Sequence, residues 1–421
     1  MYRILLCAMA LAMAASARGQ NVPDELEQLR QRVDHLEKQA AAKPATNAFN
    51  PDISLILQGS VARSSQNPDD YQITGFMPSS ANSGGEVAPA PRGFSLGESE
   101  LVISSNIDPY FRGQLVASFT PDNQLEVEEA FFQTLALGRG FTLKGGRFLS
   151  SVGYQNQIHQ HAWDFQDAPL AYKAFLGGRL NDDGLQLKWL APTELLVELG
   201  AEVGRGRNFP GSDANRNGAG LWALYGHVGG DLGESTAWRS GLSYLRASAS
   251  DRGFDDHDAG GNPVTGAFSG RSALWIADAI VKWAPRGDAT VTNLKLQGEY
   301  FRRSESGDLT LNSRPADYTS RQSGWYAQTV YQFMPRWRVG YRYDRLGYGS
   351  VSAGSFTSAD ASILLTAHNP TRGSLMMDWS PTEFSRVRVQ LARDNSRAGV
   401  TDNQVLVQYI FSLGAHGAHT F

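Results

Sequence analysis

Two histidines and two aspartates fall within nine positions, at His159, His161, Asp164 and Asp167, and they carry the clearest chemistry in the chain. In an extended segment His159 and His161 share one side, and imidazole with carboxylate suits a borderline cation such as Zn²⁺. Two His and two Asp in a loop do not define a tetrahedral site. Solvated or hydrogen-bonded side chains are the competing reading, and no metal ligand is assigned beyond His159 and His161 as candidates. His416 and His419 make a second pair near the C-terminus. The other use of such a cluster is electrostatic, since charge at a narrow point selects among passing solutes. No spacing of Ser, His and Asp marks a hydrolase triad, so no catalytic residue is assigned and no enzyme is expected. No cofactor is expected either.

The elements that must hold these residues are strands. From Ile53 onward, segments of 9–14 residues alternate apolar and polar. Trp337, Val339, Tyr341 and Tyr343 alternate with Arg338, Gly340, Arg342 and Asp344, and Val387, Val389 and Leu391 alternate with Arg386, Arg388 and Gln390. Charges in mid-strand suit a water-filled lumen with the apolar face against lipid. About sixteen such segments are expected. Their connections sort by parity into tight turns, such as Met334-Pro335, and longer polar stretches, including 249–270 and 304–320. A soluble sandwich has no cause to sort its turns this way, whereas a membrane barrel needs short turns on one side only. Trp189, Trp283, Phe333, Trp337 and Trp379 all fall beside the short turns, as an interface girdle would. The expected fold is therefore all-β, a transmembrane antiparallel barrel over residues 49–421. Its lumen-lining candidates are Arg112, Glu126, Glu128, Lys188, Glu198, Lys295, Glu299, Arg338, Arg342, Arg386 and Arg388. Opposed acidic and basic rows would set up a transverse field, or would pair with each other and stiffen the wall. The four aspartates between Asp251 and Asp258 read as a solvated surface loop.

The N-terminal end fits export. Arg3, the apolar stretch from Ile4 to Ala15 and the Ala15-Ser16-Ala17 pattern predict a signal peptide over residues 1–17. The chain's one cysteine, Cys7, lies inside it, which excludes disulfides and thiolate chemistry from the mature protein. Over residues 18–48, Asp24 caps a short helix with Leu26, Leu29, Val33 and Leu36 at heptad spacing, followed by a linker. That helix either self-associates in the periplasm or docks on its own chain. No later stretch is long and apolar enough for a spanning helix. A net charge of −4 argues against nucleic-acid binding.

Signal peptide, short coiled coil and sixteen-strand pattern together resemble the phosphate-selective porin O/P-like superfamily. Gly146-Arg147-Phe148, His159-Gln160-His161-Ala162-Trp163-Asp164-Phe165 and the stretch from Phe411 to His419 are similar to a proteobacterial outer-membrane family. Its members carry the label of zinc-regulated or TonB-dependent receptors. The resemblance spans the mature chain and implies a channel in the outer membrane. It departs in one respect: between Arg18 and the first strand only a helix and a linker are present, which cannot build a plug domain. No basic ladder that would imply phosphate selectivity stands out along the chain.

The longest connection, 149–182, follows the fifth strand. Ile158, Trp163, Phe165, Leu170, Tyr172, Phe175 and Leu176 require it to be buried. It is expected either to fold into the lumen as a constriction presenting His159, His161, Asp164 and Asp167, or to form a lid on the barrel mouth. The expected function is passive diffusion of small hydrophilic solutes or ions, with outer-membrane lipid around the barrel and a homotrimer as the assembly. A zinc-linked metal-uptake receptor or channel, and a structural or enzymatic barrel, are the alternatives.

Overall fold

A strand with charges on one face and apolar side chains on the other must give its faces different surroundings. The computed structural model describes residues 51–77, 87–120, 124–215 and 217–414. Residues 1–48, with the expected signal peptide and coiled coil, and the pair His416 and His419 lie outside the described residues.

Sixteen antiparallel strands close into one barrel: β1 Asp52–Ser64, β2 in two parts Gly93–Leu96 and Ser99–Asn106, β3 Phe111–Phe119, β4 Leu125–Thr134, β5 Phe141–Leu149, β6 Asn181–Leu190, β7 Leu196–Gly204, β8 Leu221–Leu232, β9 Thr236–His257, β10 Pro263–Trp283, β11 Asn293–Leu311, β12 Arg314–Met334, β13 Trp337–Ser352, β14 Thr371–Thr382, β15 Ser385–Asp394 and β16 Asp402–Gly414. Closure comes from β1 against β16, with Val61 opposite Val407 and Gln58 opposite Ile410. Among the described residues no sheet edge is then left to recruit other chains. At the break in β2 a Cβ on Gly97 would lie 2.7 Å from the Gln58 Cβ, so only glycine lets the two strands approach there.

Two expected loops are strands. Residues 249–270 and 304–320 extend the hairpins β9–β10 and β11–β12, which reach 22, 21, 19 and 21 residues per strand. Their tips shrink to 258–262 and to Asn312-Ser313, whose positive φ values of 47° and 68° suit a tight two-residue hairpin turn. The physical reason is that the period-two pattern continues through Gly-, Ser- and Asp-rich sequence. Phe254, Phe268, Leu309 and Tyr318 point inward and pack with Met77, Phe356 and Leu364. Asp256, expected in a solvated loop, is buried and accepts from the Ile363 and Leu364 amides at 2.8 and 3.0 Å.

The outward face carries the apolar side chains, among them Leu199, Leu224, Leu242, Leu375 and Leu391. Two aromatic rings bound this band. One lies at the short turns, where Trp337 stacks on Trp379 at 5.7 Å and Phe141 meets Trp189 at 6.4 Å. The other runs from Trp222 to Tyr244 at 5.3 Å and on to Trp275 at 4.7 Å, then to Trp325 beside Tyr343 at 5.7 Å.

Inside, the stretch 150–180 folds into the lumen. Asn156 clamps its two ends together, donating to the carbonyls of Ser150 and Leu180 at 2.8 Å each and accepting from the Leu180 amide at 2.7 Å. Its helix α1, Leu170–Leu176, ends on Gly177 with φ of 69°, a left-handed cap. Phe175 and Tyr172 pack against inward Leu274, Ile276, Phe301 and Leu346, joined by Phe76 at 5.8 Å from Phe175.

Candidate functional site: a loop strung between an acidic and a basic wall

The acidic wall depends on an irregularity. Period two lets only one of two adjacent residues face inward, yet Glu128 and Glu129 are both buried against the loop. The register between β3 and β4 shifts here: Val116 pairs with Glu129 and Ala117 with Val127, leaving Glu128 as the extra residue of a β-bulge. Glu100 on β2 completes the wall, and Arg179 at the loop's exit pairs with Glu128 at 3.1 Å.

The loop brings its histidines to this wall. His159 sits at the start of a single 3₁₀ turn, and its ring stacks on His161 at 5.8 Å. His159 Nδ1 lies 3.3 Å from Glu100 Oε2 and 3.2 Å from Glu128 Oε2, while Nε2 lies 3.1 Å from Glu129 Oε2. His161 Nδ1 meets the other oxygen of Glu100 at 2.9 Å. Burial works against a charged His159, but the hydrogen bonds and charges of Glu100, Glu128 and Glu129 raise its pKa well above the ordinary value.

The loop's aspartates go to the opposite side. Asp164 pairs with Lys295 and accepts from Arg338 at 3.1 Å and Gln328 at 3.1 Å. Asp167 accepts from Arg372 at 2.9 Å, Arg342 at 3.1 Å and Gln390 at 2.9 Å. The carbonyl of Trp163 takes Arg388 at 2.6 Å and Arg386 at 3.3 Å. Burial pushes both carboxyls up, but Lys295 and Arg338 around Asp164, and Arg372 and Arg342 around Asp167, hold them well below the usual carboxylate range. Lys295 stands on β11, and the arginines alternate inward along β13, β14 and β15. Arg338 stands directly across from Asp378, and Asp378 from Arg388. A row of arginines interleaved with aspartates therefore exists on this side. It runs across neighbouring strands rather than along one, so the linear chain hides it.

Of the other lumen candidates, Lys188 pairs with Glu198 at 3.0 Å, and His227 meets the second oxygen of Glu198 at 3.1 Å. Glu299 is buried, accepting from the amides of Tyr154 and Gln155 at 3.1 and 2.9 Å and from the hydroxyls of Tyr172 and Tyr326 at 2.9 and 2.6 Å, so it fastens the loop. Arg342 and Arg388 are likewise buried against the loop instead of lining open space. Arg112 is exposed on the inner wall and donates to Ser104 at 3.1 Å. Glu126 is exposed at the loop end of β4 and joins no cluster.

A cavity of 1240 Å³ runs from the short turns at Asp231, Glu234 and Gly287 inward to the loop, where His159, His161 and Asp164 border it; Asp167 does not. Glu100, Glu129, Arg179, Arg372 and Asp378 escaped the sequence reading. Glu100 had a signal, because it alternates with Leu101 and Ile103 in phase with Val102 and Ser104. Glu129 had none without the bulge.

No family model matches the chain. A protein of Aquifex aeolicus (strain VF5), described as uncharacterized, is 31% identical over 393 residues, covering 89% of this chain and 80% of the relative. Among solved structures, the trimer form of OmpT, an outer membrane protein of Vibrio cholerae, superposes with a TM-score of 0.53 at 10% identity, covering 86% of this chain and 99% of that one. OprB of Pseudomonas putida gives 0.52 at 14% identity, with 91% and 96% covered, and the outer membrane channel DcaP of Acinetobacter baumannii gives 0.50 at 11%, with 86% and 97% covered. At these identities the structures speak for the barrel fold alone. The Aquifex aeolicus sequence speaks for descent: across most of both chains the identity is high enough that this protein belongs to one family with it.

Proposed function

We propose that the chain is an outer-membrane, porin-like channel for small hydrophilic solutes or ions, narrowed by the loop 149–182. The observation that carries this is the barrel's inverted polarity: apolar outside between two aromatic rings, and inside, charged walls at the loop with a cavity leading to it from the short turns. On β10 the rings are Trp275 and Trp283, eight residues apart (283 − 275). That is about 27 Å along a strand, or about 20 Å of height at a tilt near 40°, comparable with the apolar band of roughly 25 Å in outer-membrane barrels. The glutamates beside His159 and the basic side chains beside Asp164 oppose each other next to the cavity, and opposed charges set up a transverse field that orients dipolar solutes.

The resemblance to phosphate-selective porin O/P-like proteins belongs to this reading, as does a homotrimeric assembly, since the OmpT structure similar to this chain is a trimer form. A closed, structural barrel is the second reading. It is favoured by the apolar clusters around α1 and around Met77, which fill the lumen on the loop side.

Planar-bilayer recording from the refolded, heat-modifiable protein decides between them. Stable conductance steps are expected. A correctly folded barrel that gives no steps would sink the channel reading and leave the structural one.

A further inference from the structure

We propose that Glu100, Glu128 and His159 form a divalent-cation site on the acidic wall, with Glu129 and His161 as its orienting partners. Each of the three residues has one polar atom held and one directed at a common point. Glu100 Oε1 is held by His161 at 2.9 Å, Glu128 Oε1 by the Ser118 hydroxyl, and His159 Nε2 by Glu129 at 3.1 Å. The remaining atoms, Glu100 Oε2, Glu128 Oε2 and His159 Nδ1, lie within 4.8 Å of one another. All three are buried, and their close contacts are with one another and, for Glu128 Oε2, with Arg179 at 3.1 Å. Their carriers are Glu100, fully buried, Glu128, 4% exposed, and His159, half-buried with 19% of its side chain exposed.

Two of the three separations fit an ion. Ligands at about 2.0–2.1 Å from a tetrahedral centre are separated by about 3.4 Å. His159 Nδ1 lies 3.3 and 3.2 Å from the two carboxylate oxygens. The arrangement around the ring is also that of a metal-bound histidine. Glu129 can accept from Nε2, so loss of the Nδ1 proton would turn that lone pair toward the two carboxylates. Glu129 is in turn fixed by the Leu149 amide at 3.0 Å and by Gln114 at 3.2 Å.

Charge points the same way. Three buried carboxylates, Glu100, Glu128 and Glu129, stand against one buried guanidinium, Arg179, and Glu98 lies a further 3.9 Å from Arg179. An ion that takes the place of the His159 Nδ1 proton would face three carboxylates and one guanidinium, a surplus of two negative charges that one divalent ion offsets. Arg179 already contacts Glu128 Oε2, and an oxygen with two lone pairs can serve both the guanidinium and an ion. One imidazole with two carboxylates suits a borderline cation of the Zn²⁺ class, and a fourth position is left on the side where His159 borders the cavity. His161, which the H-x-H spacing offered as a second ligand, takes the orienting role because its Nδ1 is spent on Glu100 Oε1.

The site is tested by binding alone, so its fate is separate from that of the channel reading. Full-length protein in detergent is stripped with chelator and titrated with ZnCl₂, by calorimetry and by metal content. One tightly held ion per chain is expected, retained after His416→Gln with His419→Gln. Glu128→Gln and His159→Gln should weaken binding at least 100-fold, and Glu129→Gln should weaken it by about 10–100-fold, as loss of an orienting partner does. Heat-modifiable mobility checks the folding of each variant. If the ligand variants do not fold, X-ray absorption on the zinc-loaded wild type decides instead. One imidazole with carboxylate oxygens at about 2.0–2.2 Å supports the site. No retained ion, a shell of two or more imidazoles, or binding that disappears with His416 and His419 overturns it.

Discussion

Asp167 shows how much one side chain can hold. It lies between two almost fully buried guanidiniums, Arg342 and Arg372, and accepts a third bond from Gln390. Removing one partner of a buried ion pair costs about 3–5 kcal/mol, because the other charge is left without compensation. Asp167→Asn should therefore lower the urea midpoint of the refolded barrel markedly. The sign with pH follows from the depressed carboxyl. A folded pKa below the unfolded value of about 3.9 contributes stability that is complete above that value and is lost only as pH falls through the lower, folded one. The gap between wild type and Asp167→Asn should thus not close between pH 8 and pH 5, and Lys173, 3.7 Å from Asp167, acts in the same direction. A gap that closes by pH 5 would show that the carboxyl is not held ionised by the arginines.

At the scale of the element, the loop 150–180 is gripped in two chemically different ways. Its charged half is tied to the walls by ion pairs, while α1 is held by shape. Phe175 is fully buried, stacked on Phe301 at 6.1 Å, edge-on to Phe76, with the Arg303 guanidinium 5.0 Å from its ring. Truncating a buried phenylalanine costs about 3–5 kcal/mol. Phe175→Ala should leave the barrel folded, since strand pairing does not involve this residue, but release α1 from the wall. The expected result is faster proteolysis within 149–182 and larger, noisier conductance steps. Unchanged protease resistance would mean that the ion pairs alone hold the loop.

For the whole molecule, the outward face decides what the barrel is dissolved in. Leu375 points outward on β14, four residues above Trp379 and between Tyr341 and Leu391 on the neighbouring strands. In lipid, an arginine near the midplane costs about 2–4 kcal/mol. On a water-exposed surface the same change is nearly neutral. Leu375→Arg should therefore impair refolding into lipid vesicles by that amount, measured by urea titration. No effect would count against the membrane reading.

The alternation of apolar and charged residues determined the strand count, the direction each strand faces and the end at which each connection lies, because side-chain period and strand pairing are local properties. The burial of 149–182 was legible in the same way, from Trp163, Phe165, Tyr172 and Phe175, which water alone would not accommodate. Where 249–270 and 304–320 go was not legible, since small and acidic residues permit either loop or strand. Only packing of Phe254, Phe268 and Tyr318 under the loop 353–370 selects the strand. The partners of the four loop residues were likewise a matter of tertiary structure. His159 and Asp164 are five positions apart in the chain, yet one meets glutamates on β2 and β4 and the other meets Lys295 on β11 and Arg338 on β13. Which wall a charge faces depends on barrel closure and on a bulge at Glu128, and electrostatic pairing acts through space rather than along the sequence.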